Sequence, residues 1–99
     1  SSQYPSVILH LQVFSWEAAR ARVYCGDGEQ RITNINGLTF TRTTTRRVPL
    51  PSNCSTIQVY VTGHGMEGWS TPRAVIPNEE VCVRVGSLMI PEWHIGCTA

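Results

Sequence analysis

Few residues in this chain are of a type that does chemistry, and their spacing decides how each is read. His64 lies in Gly63-His64-Gly65-Met66-Glu67, so a histidine and a carboxylate three positions apart, with His94 as a third donor, form the most tempting metal-binding or catalytic set. No H-E-x-x-H pattern is present, and a glycine-flanked loop holds a ligand poorly unless further hydrogen bonds orient it. The plainer reading is a solvent-exposed loop histidine. The single aspartate, Asp27, sits in a turn, and no G-x-S-x-G nucleophile motif occurs. Glu79 and Glu80 are adjacent, so their side chains diverge and do not share acid and base roles. No glycine-rich phosphate loop precedes a helix. The expectation is a protein with no catalytic residues, no metal and no cofactor.

The four cysteines, Cys25, Cys54, Cys82 and Cys97, contain no C-x-x-C pair and suit two disulfides better than a zinc site or a redox motif. An oxidising, extracytoplasmic compartment follows: periplasmic, cell-surface or secreted, with a signal peptide removed. All eight basic residues are arginine, which fits a GC-rich genome and a bacterial source. The net charge of +1 gives the whole molecule no strong pull on nucleic acid or anionic lipid. Arg42, Arg46 and Arg47 among their threonines are either a surface for an acidic partner or, more plainly, a solvated strand face. Asn53-Cys54-Ser55 is a glycosylation acceptor only in a eukaryotic secretory pathway.

The three tryptophans, Trp16, Trp69 and Trp93, fall in connections or in the tail, where strand packing covers them least. Exposed aromatics of this kind anchor interfaces. The block Leu88-Met89-Ile90-Pro91-Glu92-Trp93-His94-Ile95 is too apolar for a free tail, so it either covers the outward face of the last strand or docks on another protein. Trp16, Trp69, Ile90, Trp93 and Ile95 are therefore the expected partner-binding residues, for a protein partner or self-association, with carbohydrate as the other candidate.

The elements that must position these groups are strands. In Cys54–Gly63, Ile57, Val59 and Val61 alternate with Thr56, Gln58, Tyr60 and Thr62, the period-two pattern of a half-buried strand. Val7–Phe14 places Val7, Leu9, Leu11 and Val13 on one face, and its other face is also fairly apolar. Ser15–Ala19 reads as a connection of one helical turn or less. Arg20–Cys25 puts Ala21, Val23 and Cys25 inward. Gly26-Asp27-Gly28 makes a tight turn into a return strand over Glu29–Ile35, ended by Asn36-Gly37. Leu38–Leu50 is threonine-rich and β-prone, and Pro49 and Pro51 stop it. Gly63–Gly68 reads as a glycine-rich loop, and Trp69–Pro77 holds a short edge strand at most because Pro72 and Pro77 remove ladder donors. Val81–Val85 is the last clear strand, and no apolar run approaches the ~18 residues of a membrane span.

Side-chain parity also orders the cysteines. Cys25 closes one inward-facing strand and Cys54 opens another, so antiparallel neighbours would join them. Cys82 faces away from Val81, Val83 and Val85, and a tail folding back over that face would deliver Cys97. Of three connectivities, Cys25–Cys54 and Cys82–Cys97 is expected. About seven short strands punctuated by turns make an all-β, antiparallel sandwich of immunoglobulin-like or transthyretin-like shape, one domain over residues 1–99 with 87–99 as a C-terminal extension.

Within that pattern, Trp16-Glu-Ala-Ala-Arg-Ala-Arg-Val-Tyr24, Arg46-Arg-Val-Pro49, Ile57-Gln-Val-Tyr-Val61 and Pro72-Arg-Ala-Val-Ile-Pro-Asn-Glu-Glu-Val-Cys-Val-Arg-Val85 follow one another in a recognisable order. They resemble small exported bacterial immunoglobulin-like or transthyretin-like β-sandwich domains of unassigned function, across about residues 7–86. The four cysteines and the extension depart from that pattern. The resemblance implies a binding or scaffold module and brings no catalytic residues with it. The expected function is a non-catalytic accessory subunit docking on a larger cell-envelope assembly, with a secreted hydrolase inhibitor or carbohydrate-binding module presenting Gly63–Trp69 as the other candidate.

Overall fold

The computed structural model describes residues 5–14, 19–26, 28, 30–39, 42–63, 65–86 and 88–97. Among them there is no helix, and the chain order is β1 (Ser6–Val13), β2 (Ala19–Cys25), β3 (Gln30–Leu38), β4 (Thr43–Pro49), β5 (Thr56–Gly63), β6 (Met66–Trp69), β7 (Arg73–Ala74), β8 (Glu80–Val85) and β9 (Pro91–His94). Two sheets face each other in a sandwich-like arrangement. One has the order β4-β1-β8-β9; the other runs β3-β2-β5-β6, with β7 pairing the other half of β5.

The alternation seen in the sequence builds the core directly. Val7, Leu9, Leu11 and Val13 of β1, with Val81, Val83 and Val85 of β8, meet Ala21 and Val23 of β2 and Ile57, Val59 and Val61 of β5 in one buried cluster. Each valine- or leucine-sized side chain removed from water in this way contributes about 1.5–3 kcal/mol against the entropy of ordering the chain.

Five expectations from the sequence need correction. The pairing is not antiparallel throughout: β1 runs parallel to β8, with Leu9 opposite Val81 and Leu11 opposite Val83. Residue alternation is the same for both strand directions, so it carries no information on this point, and the long excursion through β2–β7 supplies the crossover a parallel pair requires. More strands are present than the seven anticipated, because residues 66–68, expected within the glycine-rich loop Gly63–Gly68, join Trp69 and add to β5 as β6. Asn36-Gly37 does not end β3; the strand continues to Leu38 across a register shift against β2, with Gly37 at φ 74. The threonine-rich run is not one strand, since Leu38 ends β3 and Thr43 begins β4, with the Arg42 N–H donating to the Thr39 carbonyl at 3.3 Å. The tail does not lie over the face of the last strand; residues 91–94 extend the sheet edgewise as β9. Only the end of the tail returns over the outer face, where Cys97 is bonded to Cys82 with their Cα atoms 5.1 Å apart.

The other bridge joins Cys25 at the end of β2 to Cys54 just ahead of β5, Cα to Cα 5.6 Å, and ties two antiparallel neighbours at one end of the sandwich. Two disulfides in so small a core are consistent with an extracytoplasmic location. No helix among the described residues is long and apolar enough to cross a membrane.

Candidate functional site

The outward face of the β2-β5-β6 sheet carries the aromatic group around Trp69. Strand register sets it up: Arg22 lies opposite Tyr60 across β2 and β5, and Tyr60 lies opposite Trp69 across β5 and β6. All three point away from the core, because their neighbours Ala21, Val23, Val59 and Val61 point into it. The indole does not stay over its own strand. Its ring centroid is 4.9 Å from Tyr60 and also 4.9 Å from Tyr24 on β2, with interplanar angles of 47° and 49°. To reach both, the ring lies across β5, and its far edge arrives at Gly28. There Gly28, at φ 83, leaves room that a Cβ would narrow to 3.3 Å from the indole.

Trp69 nevertheless remains 44% exposed. Polar groups surround it. The Tyr60 hydroxyl donates to Glu67 Oε2, which raises the Tyr60 pKa first by that bond, then by burial and by the carboxylate's charge. The Arg22 guanidinium lies over the Tyr60 ring, 5.7 Å from its centroid. Gln58, opposite Tyr24, donates from Nε2 to the Ser70 carbonyl at 3.0 Å. Ser70, buried at the break between β6 and β7, accepts the Val59 N–H on its Oγ at 2.9 Å and so fills a rung of the ladder that the backbone leaves open before Pro72. The result is an aromatic surface with donors and acceptors at its rim.

The expected partner-binding residues do not gather in one place. Trp93 is half-buried against the core; its indole N–H donates to the Thr71 carbonyl at 2.7 Å, and Arg73 lies 5.8 Å from its ring centroid. Through that bond it braces one sheet against the other. Ile90 is 51% exposed and lines a cleft of about 310 Å³ with Gly86, Leu88 and Glu92. Ile95 is 95% exposed at the bend before Cys97, whose bridge to Cys82 is on the sheet that does not carry Trp69. Trp16 lies outside the described residues, as do His64 and Asp27.

Glu79 and Glu80 are each engaged by a neighbour. Glu79 accepts from Arg73 Nη2 at 2.8 Å, whereas Glu80 pairs with His10 Nε2 at 2.9 Å, so the two carboxylates do point apart. Glu67 and His94 belong to different sheets. Among the described residues no three His, Cys, Asp or Glu side chains are grouped as metal ligands. The platform itself was half legible: Trp69 was read as an interface residue, but Tyr24, Tyr60 and Arg22 were read only as outward strand positions. The signal was their shared parity on adjacent strands.

No family model and no curated protein matches this chain. A solved structure described as the NMR structure of the protein from Eubacterium rectale does, with a TM-score of 0.61 at 13% identity, over 97% of this chain and 91% of that one. What they share is a fold. The membrane-binding domain of pneumolysin overlaps more loosely, with a TM-score of 0.42 at 17% identity over 90% of this chain and 94% of that one. At such identities nothing about ligands or partners passes from either to this chain.

Proposed function

We propose that this protein is a non-catalytic extracytoplasmic recognition module, an accessory subunit that docks on a larger cell-envelope assembly through the Trp69 face. The observation that carries the reading is the indole of Trp69, 44% exposed yet held between two tyrosines on paired strands. A large apolar ring fixed before contact loses little freedom on binding, which is why such residues dominate interface energetics. The non-catalytic part rests on Glu67, Glu79, Glu80 and His10, each of which is held by a neighbouring side chain. The compartment rests on the two disulfides. We assign the sandwich to the immunoglobulin-like type, on the grounds of its two facing sheets with the chain passing from β3 to β4 and back to β5.

A second reading, a carbohydrate-binding module, is favoured by the rim itself: Arg22 and Glu67 offer a donor and an acceptor beside a flat indole, the arrangement that would grip sugar hydroxyls while the ring stacks on C–H groups. One experiment separates them. Wild type, Trp69→Ala and Ile95→Ala are recovered from the native source under mild conditions, and each is titrated with neutral oligosaccharides while indole fluorescence is followed. Docking through this face requires a co-purifying partner that Trp69→Ala loses at least 10-fold and Ile95→Ala keeps. A saturable fluorescence change with sugar, and no partner, favours the second reading. Full retention of the partner by Trp69→Ala refutes the first.

A further inference from the structure

We infer that the open side of the sandwich between β3 and β4 is an oxyanion-binding site, taking a phosphate or sulfate ester group. A cleft of about 320 Å³ runs there between Asn36 and Gly37 of β3 and the Arg42–Arg46 segment, lined by Asn36, Arg42, Thr43, Thr44, Thr45 and Arg46. Among the described residues, no side chain in that lining is acidic. Arg46 lies opposite Leu9, whose side chain points into the core, so Arg46 also projects on the inner side of its sheet, into the gap. Among the described residues its bond runs from Nη1 to the carbonyl of its neighbour Thr45, 3.0 Å, and leaves the rest of the guanidinium fork open to that cleft. Arg42 has no carboxylate within ion-pair reach among the described residues.

The described carboxylates sit elsewhere. Glu67 is held by Tyr60 on the other sheet's outer face, Glu79 by Arg73 and Glu80 by His10, while Glu92 is on β9 at the opposite edge of the sheet from β4. Edge strands do carry charge simply to prevent pairing with other chains, and that accounts for Arg47, which donates to Ser6 Oγ at 2.8 Å. It does not account for two arginines turned to one cleft. The hydroxyls of Thr43 and Thr45 are already engaged by Gln12 and His10 on the outer face, which leaves Thr44 and the Asn36 amide as neutral donors beside the two guanidinium groups. Planar guanidinium forks match tetrahedral oxyanions in two-point hydrogen bonds, and two such forks neutralise a dianion. The site shares no residue with the Trp69 platform.

The test is a two-dimensional NMR titration of the whole protein with inorganic phosphate and, separately, inorganic sulfate, with ionic strength held constant by chloride. The inference requires saturable shifts confined to the amides of residues 36–37 and 42–46. Arg42→Gln/Arg46→Gln must weaken binding at least 10-fold while the rest of the spectrum stays native, and Arg47→Gln must leave it within about 2-fold. Lowering the pH until inorganic phosphate becomes the monoanion must weaken phosphate but not sulfate binding, as a site that takes a dianion requires. Linear, unsaturable shifts, shifts scattered over every arginine, or unchanged binding by the double variant overturn the inference.

Discussion

The indole N–H of Trp93 on β9 donates to the carbonyl of Thr71, in the break between β6 and β7, at 2.7 Å. One tryptophan thus fastens the edge of one sheet to the edge of the other, where backbone pairing cannot reach. Trp93→Phe keeps an apolar ring beneath Arg73 but removes the donor, leaving the Thr71 carbonyl without it. The expected cost is about 1 kcal/mol, a fall in Tm of about 4–8 °C for a domain of this size, with partner binding unchanged. Thermal unfolding and the partner-recovery assay together check it. Loss of the partner at wild-type Tm would show Trp93 to be a contact residue instead of a brace.

Gly68 supplies a second fastening by lacking a side chain. A Cβ there would fall inside contact distance of the Met89 carbonyl oxygen and 3.0 Å from the Ile90 Cα. Met89, at φ 60, turns its side chain fully into the core, and its backbone crosses under β6. Gly68→Ala should cost about 2–3 kcal/mol because backbone must move on one side or the other. Gly86→Ala, with nothing within 4 Å of the added methyl, should cost well under half of that. Urea midpoints of the two variants give the comparison; equal midpoints would contradict the close approach.

The two disulfides close loops of different length, 29 residues for Cys25–Cys54 and 15 for Cys82–Cys97. In the chain-entropy account their removal costs about 3.6 and about 3 kcal/mol respectively. Paired Cys→Ala variants should therefore both be severely destabilised, with the Cys25/Cys54 variant the weaker by a few tenths of a kcal/mol or more. Denaturant unfolding measures both. A Cys82/Cys97 variant as stable as wild type would mean that β9 holds its place without the bridge.

Much of this architecture could be read from the order of side chains. The inward rows of β1, β2, β5 and β8 are an unbroken alternation, and the same parity placed Cys25 beside Cys54 and Cys82 toward Cys97. What could not be read follows from the limits of that signal. Alternation is blind to strand direction, so the parallel Leu9–Val81 register was invisible. It also fails over four residues, so residues 66–68 of β6 look like loop, and the glycine that suggests looseness at 68 is there because two backbones touch. Trp69 and Trp93 looked alike in sequence. Only the strand added by β6 and the reach of each ring separate the exposed platform from the internal brace, and the arginine cleft depends on a gap between two edges that no local pattern reports.

Tyr60 gives the fold a pH dependence whose sign follows from its partner. The phenol must keep its proton to donate to Glu67, so that hydrogen bond raises its pKa above the usual value of about 10; burial and the Glu67 charge act the same way, while Thr62 and Arg22 oppose them. A group whose pKa is higher in the folded state contributes stability that is fully present below the unfolded value. That contribution is lost as pH rises through the folded value. Stability measured from neutral pH upward should hold until about 10 and then fall as Tyr60 ionises, with the Tyr60 phenolate appearing late in an absorbance titration. Glu67→Gln removes the charge and weakens the acceptor, so the Tyr60 phenolate must appear at lower pH and the alkaline loss of stability must shrink. Because the Tyr60 ring also packs on Trp69, quenching of indole fluorescence should follow the same titration. An absorbance curve unaltered by Glu67→Gln would show that the carboxylate does not hold this hydroxyl.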